Sequence, residues 1–151
     1  MRVVIQRVKQ AKLDIDGETY AKIGEGLVLL LGVSDEDTQN DLDWIVKKTV
    51  GMRIFSNAEG KFDHALNELE AELLIVSQFT LFASTKKGNR PSFIKAGTPA
   101  FAEQMYEQAI VCFRNQLGND KVKTGKFGQN MQVLLENDGP VSIILDSKQK
   151  E

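Results

Sequence analysis

Ser77-Gln78-Phe79-Thr80 closes an apolar run, and the point where a buried strand gives way to polar side chains is a common place for a sheet protein to display function. Either hydroxyl could serve as a nucleophile, but a Ser or Thr nucleophile needs a base within hydrogen-bond reach. The single histidine, His64, sits in a turn-like stretch with no spacing that ties it to Ser77 or Thr80, which disfavours a Ser-His-Asp triad. Hydrolysis of an activated ester needs no such triad. Backbone N–H groups can stabilise the developing oxyanion, and a hydroxyl on the substrate can assist the water.

Other chemistries find fewer groups. Cys112 is alone, which excludes an intrachain disulfide, and it lies beside a helical apolar stripe with no histidine nearby, so it reads as a buried, inert thiol. One cysteine and one histidine are too few for a structural zinc site, and no acidic run has the spacing of a calcium loop or a zinc-protease helix. Gly24-Glu25-Gly26 and Gly125-Lys126-Phe127-Gly128 lack the spacing of a dinucleotide or phosphate loop and read as turns. No metal and no cofactor are expected. His64 reads as a surface or turn residue, and Glu68, Glu70 and Glu72 as a solvated face. A net charge of −2 argues against a domain that coats nucleic acid by bulk electrostatics. Basic residues do cluster locally, with Lys86, Lys87, Arg90 and Lys95 in one segment and Lys121, Lys123 and Lys126 in another. Composition alone makes them solvated surface charge.

Periodicity supplies the elements that must position residues 77–80. Leu73 to Gln78 and Gly26 to Val33 are nearly continuous apolar runs of strand length, suited to strands covered on both faces. Arg2 to Val8 alternates, and Lys12 to Asp16 meets Glu18 to Ile23 across Asp16-Gly17, a tight hairpin turn. Met52 to Phe55 reads as a short strand before a turn at Asn57-Ala58-Glu59-Gly60. Met131 to Leu135 and Val141 to Leu145 read as the last strands, joined through Asn137-Asp138-Gly139-Pro140. Asp37 or a polar neighbour can cap a helix through about Val50, with Leu42, Ile45, Val46 and Thr49 on one face and Trp44 beside it. Thr98-Pro99 starts a second helix, in which Ala102, Tyr106, Ala109, Phe113 and Leu117 repeat until Gly118.

At least seven short strands and two helices in mixed order argue against a Rossmann fold. They predict a single α+β domain of two packed β-sheets, sandwich or open barrel-like, with helices on an outer face. A length of 151 residues, 42% of them apolar, suits one core. The domain reads as residues 1–147, with a polar C-terminal tail at 148–151. The longest purely apolar stretch, Leu27 to Leu31, falls far short of the roughly 20 residues that cross a bilayer, and no signal-peptide pattern opens the chain. A cytoplasmic protein without membrane association is expected.

Five segments occur in the order found in D-aminoacyl-tRNA deacylases: Arg2-Val3-Val4-Ile5-Gln6-Arg7-Val8, Gly26 to Val33, Ser77-Gln78-Phe79-Thr80-Leu81, Lys87-Gly88-Asn89-Arg90-Pro91-Ser92-Phe93 and Asn137-Asp138-Gly139-Pro140-Val141-Ser142. The chain resembles that family from Met1 to about Ser147. The resemblance implies an enzyme, a carboxylic ester hydrolase that frees tRNA from D-amino acids and from mischarged glycine. It implies a homodimer in which a cis Gly139-Pro140 of one subunit enters the site of the other. Two rigid carbonyls held over the substrate α-carbon would collide with an L side chain, whereas a D side chain points elsewhere, so selectivity comes from rejection.

Carried over by the same resemblance, Ser77, Gln78, Phe79 and Thr80 line the carbonyl and ribose pocket, with the Phe79 N–H as oxyanion donor. Phe127, Gly128 and Met131 lie near the terminal adenosine, and Lys86, Lys87 and Arg90 meet tRNA phosphates. Thr80 matches a residue proposed as nucleophile in the family. The missing base favours a hydrogen-bonding role for it, with the ribose 2′-hydroxyl assisting water. Three positions depart from the family pattern: Ser142 for the threonine of GPVT, Gln129 for an alanine, and Phe62-Asp63 for Met-Asn. The competing readings are a related editing hydrolase of other substrate choice and a non-catalytic RNA-binding module using the Lys86 to Lys95 segment.

Overall fold

A computed structural model describes residues 1–150. Neither proline nor glycine interrupts residues 2–15, and the two strands expected there are one, β1 (Arg2–Ile15). Register slips against the last strand between Gln6 and Gln10 mark local irregularity in this long strand. Asp16 and Gly17, at φ of 53° and 82°, turn the chain tightly into β2 (Glu18–Ile23). β3 (Gly26–Gly32), α1 (Gln39–Gly51), β4 (Phe55–Ser56), β5 (Phe62–His64), β6 (Glu72–Ser77), α2 (Pro99–Leu117), β7 (Val122–Thr124) and β8 (Gln132–Asp146) follow.

The sheet runs β2-β1-β3-β6-β7, and β8 lies antiparallel to β1 along most of its length. β1 pairs with β3 through Arg2–Val8 and with β2 through Ala11–Ile15. β3, β6 and β7 are parallel to one another, which explains the continuous apolar runs, because parallel strands are covered on both faces. Leu27, Leu29, Leu31, Leu73 and Ile75 pack with Leu42, Ile45, Tyr106 and Phe113 of the two helices. The alternate residues Val28, Leu74 and Val76 pack with Val8, Leu13 and Ile23, where the mixed sheet curls toward a barrel. β4 and β5 make a second, two-stranded sheet. The chain is thus the expected single α+β domain, with a six-stranded sheet and a small hairpin.

The polar neighbour of Asp37 that caps α1 is Thr38, and its N–H and hydroxyl both donate to the Asp41 carboxylate (2.8 and 2.9 Å). Other local details differ from expectation. β5 and β7 have three residues each, too few for a period to register. Glu68 and Glu72 are more than a solvated face: their carboxylates accept the N–H groups of Ala65 and Gly24, both at 2.7 Å. Glu70 pairs with Lys121 at 2.9 Å. His64 is a strand residue opposite Phe55.

Two ion pairs tie the end of β8 and the residues beyond it to the body: Arg2 with Asp146 (2.7 Å) and Lys148 with Asp41 (2.8 Å). Burial opposes ionisation of both carboxyls. Hydrogen bonds from Arg2 and the Lys148 N–H to Asp146, and from Lys148, Ser147 and Thr38 to Asp41, outweigh it and hold both below the usual carboxylate range. A carboxyl whose pKa is lower in the folded than in the unfolded chain stabilises the fold above its unfolded value, about 4, and loses that contribution as pH falls through the folded value. The unfolding midpoint should therefore decline as pH is lowered below about 4, and Asp41→Asn should flatten the decline. An unchanged acid profile for Asp41→Asn would show that this pair does not set acid stability.

Candidate active site

β3, β6 and β7 are parallel, so their carboxyl ends open on the same side of the sheet, where ligand crevices of parallel sheets form. At that end β6 stops at Ser77. Gln78 (φ −147°, ψ 80°) turns the chain into a 3-10 turn, Phe79–Phe82. The turn's own bonds run from the Leu81 N–H to the Gln78 carbonyl (3.3 Å) and from the Ala83 N–H to the Thr80 carbonyl (3.0 Å). The N–H groups of Phe79 and Thr80 stand before that ladder begins and have no acceptor within it. Arg2 steadies the turn: its guanidinium donates to the Leu81 carbonyl (3.2 Å) and lies 4.8 Å over the Phe82 ring.

Beside the turn is a cavity of about 390 Å³. Leu31, Val33, Ala102 and Tyr106 form an apolar interior; Ser77, Gln78 and Phe79 make one lip and Phe127 and Gly128 another. Phe79 is 57% exposed and sets its ring edge-on to Phe93, with centroids 5.0 Å apart. Thr80 is held from the side, its Oγ1 accepting a hydrogen bond from Gln78 Nε2 (2.5 Å). Among the described residues no side chain accepts the Thr80 proton, and His64 lies in the separate hairpin. The site therefore offers uncommitted backbone donors beside an apolar chamber, with no activated side-chain nucleophile.

Five of the expected residues, Ser77, Gln78, Phe79, Phe127 and Gly128, share this cavity, and Thr80 adjoins it through Gln78. Met131 packs with Leu13 against the second core and supports the 125–128 segment from behind rather than lining the cavity. Lys86, Lys87 and Arg90 sit on an exposed loop closed by the Ser84–Ser92 bridge, whose two N–H···O bonds are 2.8 and 2.9 Å. Gly139 and Pro140 are exposed and absent from the lining of their own chain's cavity. Their peptide bond is cis. Arg7, buried in β1, anchors this segment by donating to the Asp138 carbonyl (3.2 Å) and the Ile54 carbonyl (2.6 Å) and pairing with the Asp138 carboxylate (3.1 Å). Asn137 braces it, its Oδ1 accepting the Val141 N–H at 3.0 Å.

Phe93 and Tyr106 line the cavity, but neither was among the residues expected to do so. Tyr106 fits the apolar stripe of α2 so well that helical spacing alone accounts for it. Phe93 stood at the end of one of the five shared segments, which was the available signal.

A mixed, near-barrel sheet carrying an apolar chamber, with backbone N–H groups at the chamber's lip and no activated nucleophile among the described residues, suits a hydrolase of an activated ester. Residues 4–146 match the family described as D-Tyr-tRNA(Tyr) deacylase, and the chain belongs to that family. It is 52% identical to the D-aminoacyl-tRNA deacylase of Cytophaga hutchinsonii over 100% of both chains, and 48% identical to that of Flavobacterium johnsoniae over the same full span. A solved structure named "c-Myc DNA Unwinding Element Binding Protein" is 40% identical and superposes with a TM-score of 0.92 over 97% of this chain and 98% of its own. Another, titled as a "probable eukaryotic D-amino acid tRNA deacylase", shares the fold at 21% identity, with a TM-score of 0.85 over 95% of this chain and 97% of its own. No helix among the described residues is long and apolar enough to cross a membrane.

Proposed function

We propose that this deacylase works as a cytoplasmic homodimer that cleaves D-aminoacyl- and glycyl-tRNA and spares L-aminoacyl-tRNA, each site completed by Gly139-Pro140 of the partner subunit. The observation that carries the chemistry is the pair of uncommitted N–H groups at the start of the 3-10 turn, set at the cavity lip without a base. The Phe79 N–H receives the oxyanion as water adds to the ester carbonyl, and the ribose 2′-hydroxyl next to the ester assists the water. Ser77, Gln78 and Thr80 order the carbonyl and ribose. Phe127 and Gly128 hold the terminal adenosine, with Met131 supporting them, and Lys86, Lys87 and Arg90 meet phosphates of the strand leaving the cavity. A net charge of −2, with Lys86, Lys87, Arg90 and Lys95 gathered in one short segment, suits the end of one strand better than the face of a duplex.

The exposure of Gly139 and Pro140, with Arg7 and Asn137 bracing the segment behind them, supports a rigid tip offered outward to a second copy. A tip that rejects side chains of the L hand has nothing to reject in glycine. Glycyl-tRNA is therefore expected to be hydrolysed, and full protection of it by purified protein would contradict a purely steric filter. Thr80→Ala should keep kcat within about tenfold of wild type, because loss of one hydrogen-bonding hydroxyl is worth about 0.5–1.5 kcal/mol. A fall of many orders of magnitude in a folded, tRNA-binding variant would restore Thr80 as the nucleophile.

A further inference from the structure

Tyr106 is 3% exposed on the inner face of α2, where its helical spacing marks it as a core residue. Its hydroxyl nevertheless reaches two backbone carbonyls on different elements: Ile75 in β6 (2.9 Å) and Gly125 just after β7 (3.1 Å). Ile75 also accepts the Gly125 N–H at 2.7 Å, so the three groups form one knot at the root of the segment that carries Phe127 and Gly128. A phenol has one hydrogen to give, and here two carbonyls share it. Among the described residues no other donor reaches the Gly125 carbonyl. Burial pushes the Tyr106 hydroxyl well above its ordinary range, so it stays a donor at any physiological pH.

The knot is fixed from the other side as well. A side chain at Gly125 would place its Cβ 2.7 Å from Met131 Sδ and 3.1 Å from Leu13 Cδ1, so the backbone is pressed against the second core. The Tyr106 ring meets Phe127 with centroids 6.0 Å apart and planes at 44°. One side chain thus sets both the root and the aromatic wall of the 125–128 lip.

We infer that Tyr106 is a positioning residue for substrate binding: through the Gly125 carbonyl and the Phe127 ring it sets the lip that receives the terminal nucleoside of aminoacyl-tRNA. This rests on the reading of Phe127 and Gly128 as the nucleoside wall. Without the Tyr106 hydroxyl, the Ile75 carbonyl in β6 still accepts the Gly125 N–H, and Arg2 still holds the oxyanion turn at Leu81 and Phe82, so Tyr106 governs KM and leaves kcat alone.

The test is a double-mutant cycle of Tyr106→Phe and Phe127→Ala, with KM and kcat measured on D-aminoacyl-tRNA. Tyr106→Phe keeps the ring and removes one oxygen, leaving the Gly125 carbonyl unpaired. KM should rise about tenfold with kcat within a factor of about two, given the usual cost of an unsatisfied buried acceptor. Phe127→Ala should raise KM similarly, and the double variant should be little worse than either single one, because the residues act in series. An unchanged KM in Tyr106→Phe beside a raised one in Phe127→Ala would overturn the role of Tyr106 and leave the nucleoside wall standing. An unchanged KM in Phe127→Ala would remove the wall, and the inference with it. Strictly additive effects, or a fall in kcat at constant KM, would also overturn it.

Discussion

Phe79→Pro should lower kcat on D-aminoacyl-tRNA by about two to three orders of magnitude, the usual cost of losing one oxyanion donor. Proline is tolerated at the first position of a helical turn, where the N–H has no partner inside the turn and φ is already near that of the ring. Phe79 occupies that position in Phe79–Phe82. The substitution therefore deletes the proposed donor at little cost to the fold. Phe79→Ala is the matching control. It keeps the N–H, removes the ring that sits 5.0 Å from Phe93, and should alter KM more than kcat. Full activity in folded Phe79→Pro would transfer the oxyanion to another donor, the Thr80 N–H being next in line.

Subunit exchange should show the second large effect. Gly139 holds φ at 122°, and a Cβ there would lie 2.9 Å from Val141 Cγ2 and 3.1 Å from Arg7 Nη2. Gly139→Ala must shift the tip, and the preference for D over L substrate should fall by about tenfold or more, as for a steric filter displaced by one methyl group. In the proposed homodimer, mixing Gly139→Ala subunits with Phe79→Pro subunits gives a heterodimer in which the intact catalytic turn faces the partner's intact tip. Hydrolysis of the L substrate per active site should drop back toward the wild-type level on mixing. No change would mean that the tip serves its own subunit or serves no site.

The parts of this fold legible in the sequence are those whose residues repeat a pattern long enough to exceed noise. The runs of β3 and β6 reveal strands buried on both faces, and Thr98-Pro99 and Gly118 bracket α2 to within a residue. β5 and β7 are too short to show any period. The merging of two expected strands into β1 depends on the partner strand that absorbs its irregularities. At the site, Ser77 to Thr80 stood out because polarity changes abruptly at a strand end. Tyr106 did not, because core and cavity wall demand the same spacing on a helix. Arg7 anchors the Asp138 carbonyl across 131 positions of chain, a pairing no local pattern encodes, and the role proposed for Gly139-Pro140 came only through the family resemblance.

On the proposed mechanism, an apolar chamber with a backbone oxyanion donor hydrolyses the ester, and the Gly139-Pro140 tip closing it distinguishes the hands of the amino acid. The direct measurement presents the same tRNA, charged with D-tyrosine or with L-tyrosine, to excess purified protein in a single turnover. The D ester should be cleaved rapidly, and the L ester should decay no faster than it does without protein. Equal rates for the two esters would contradict the account.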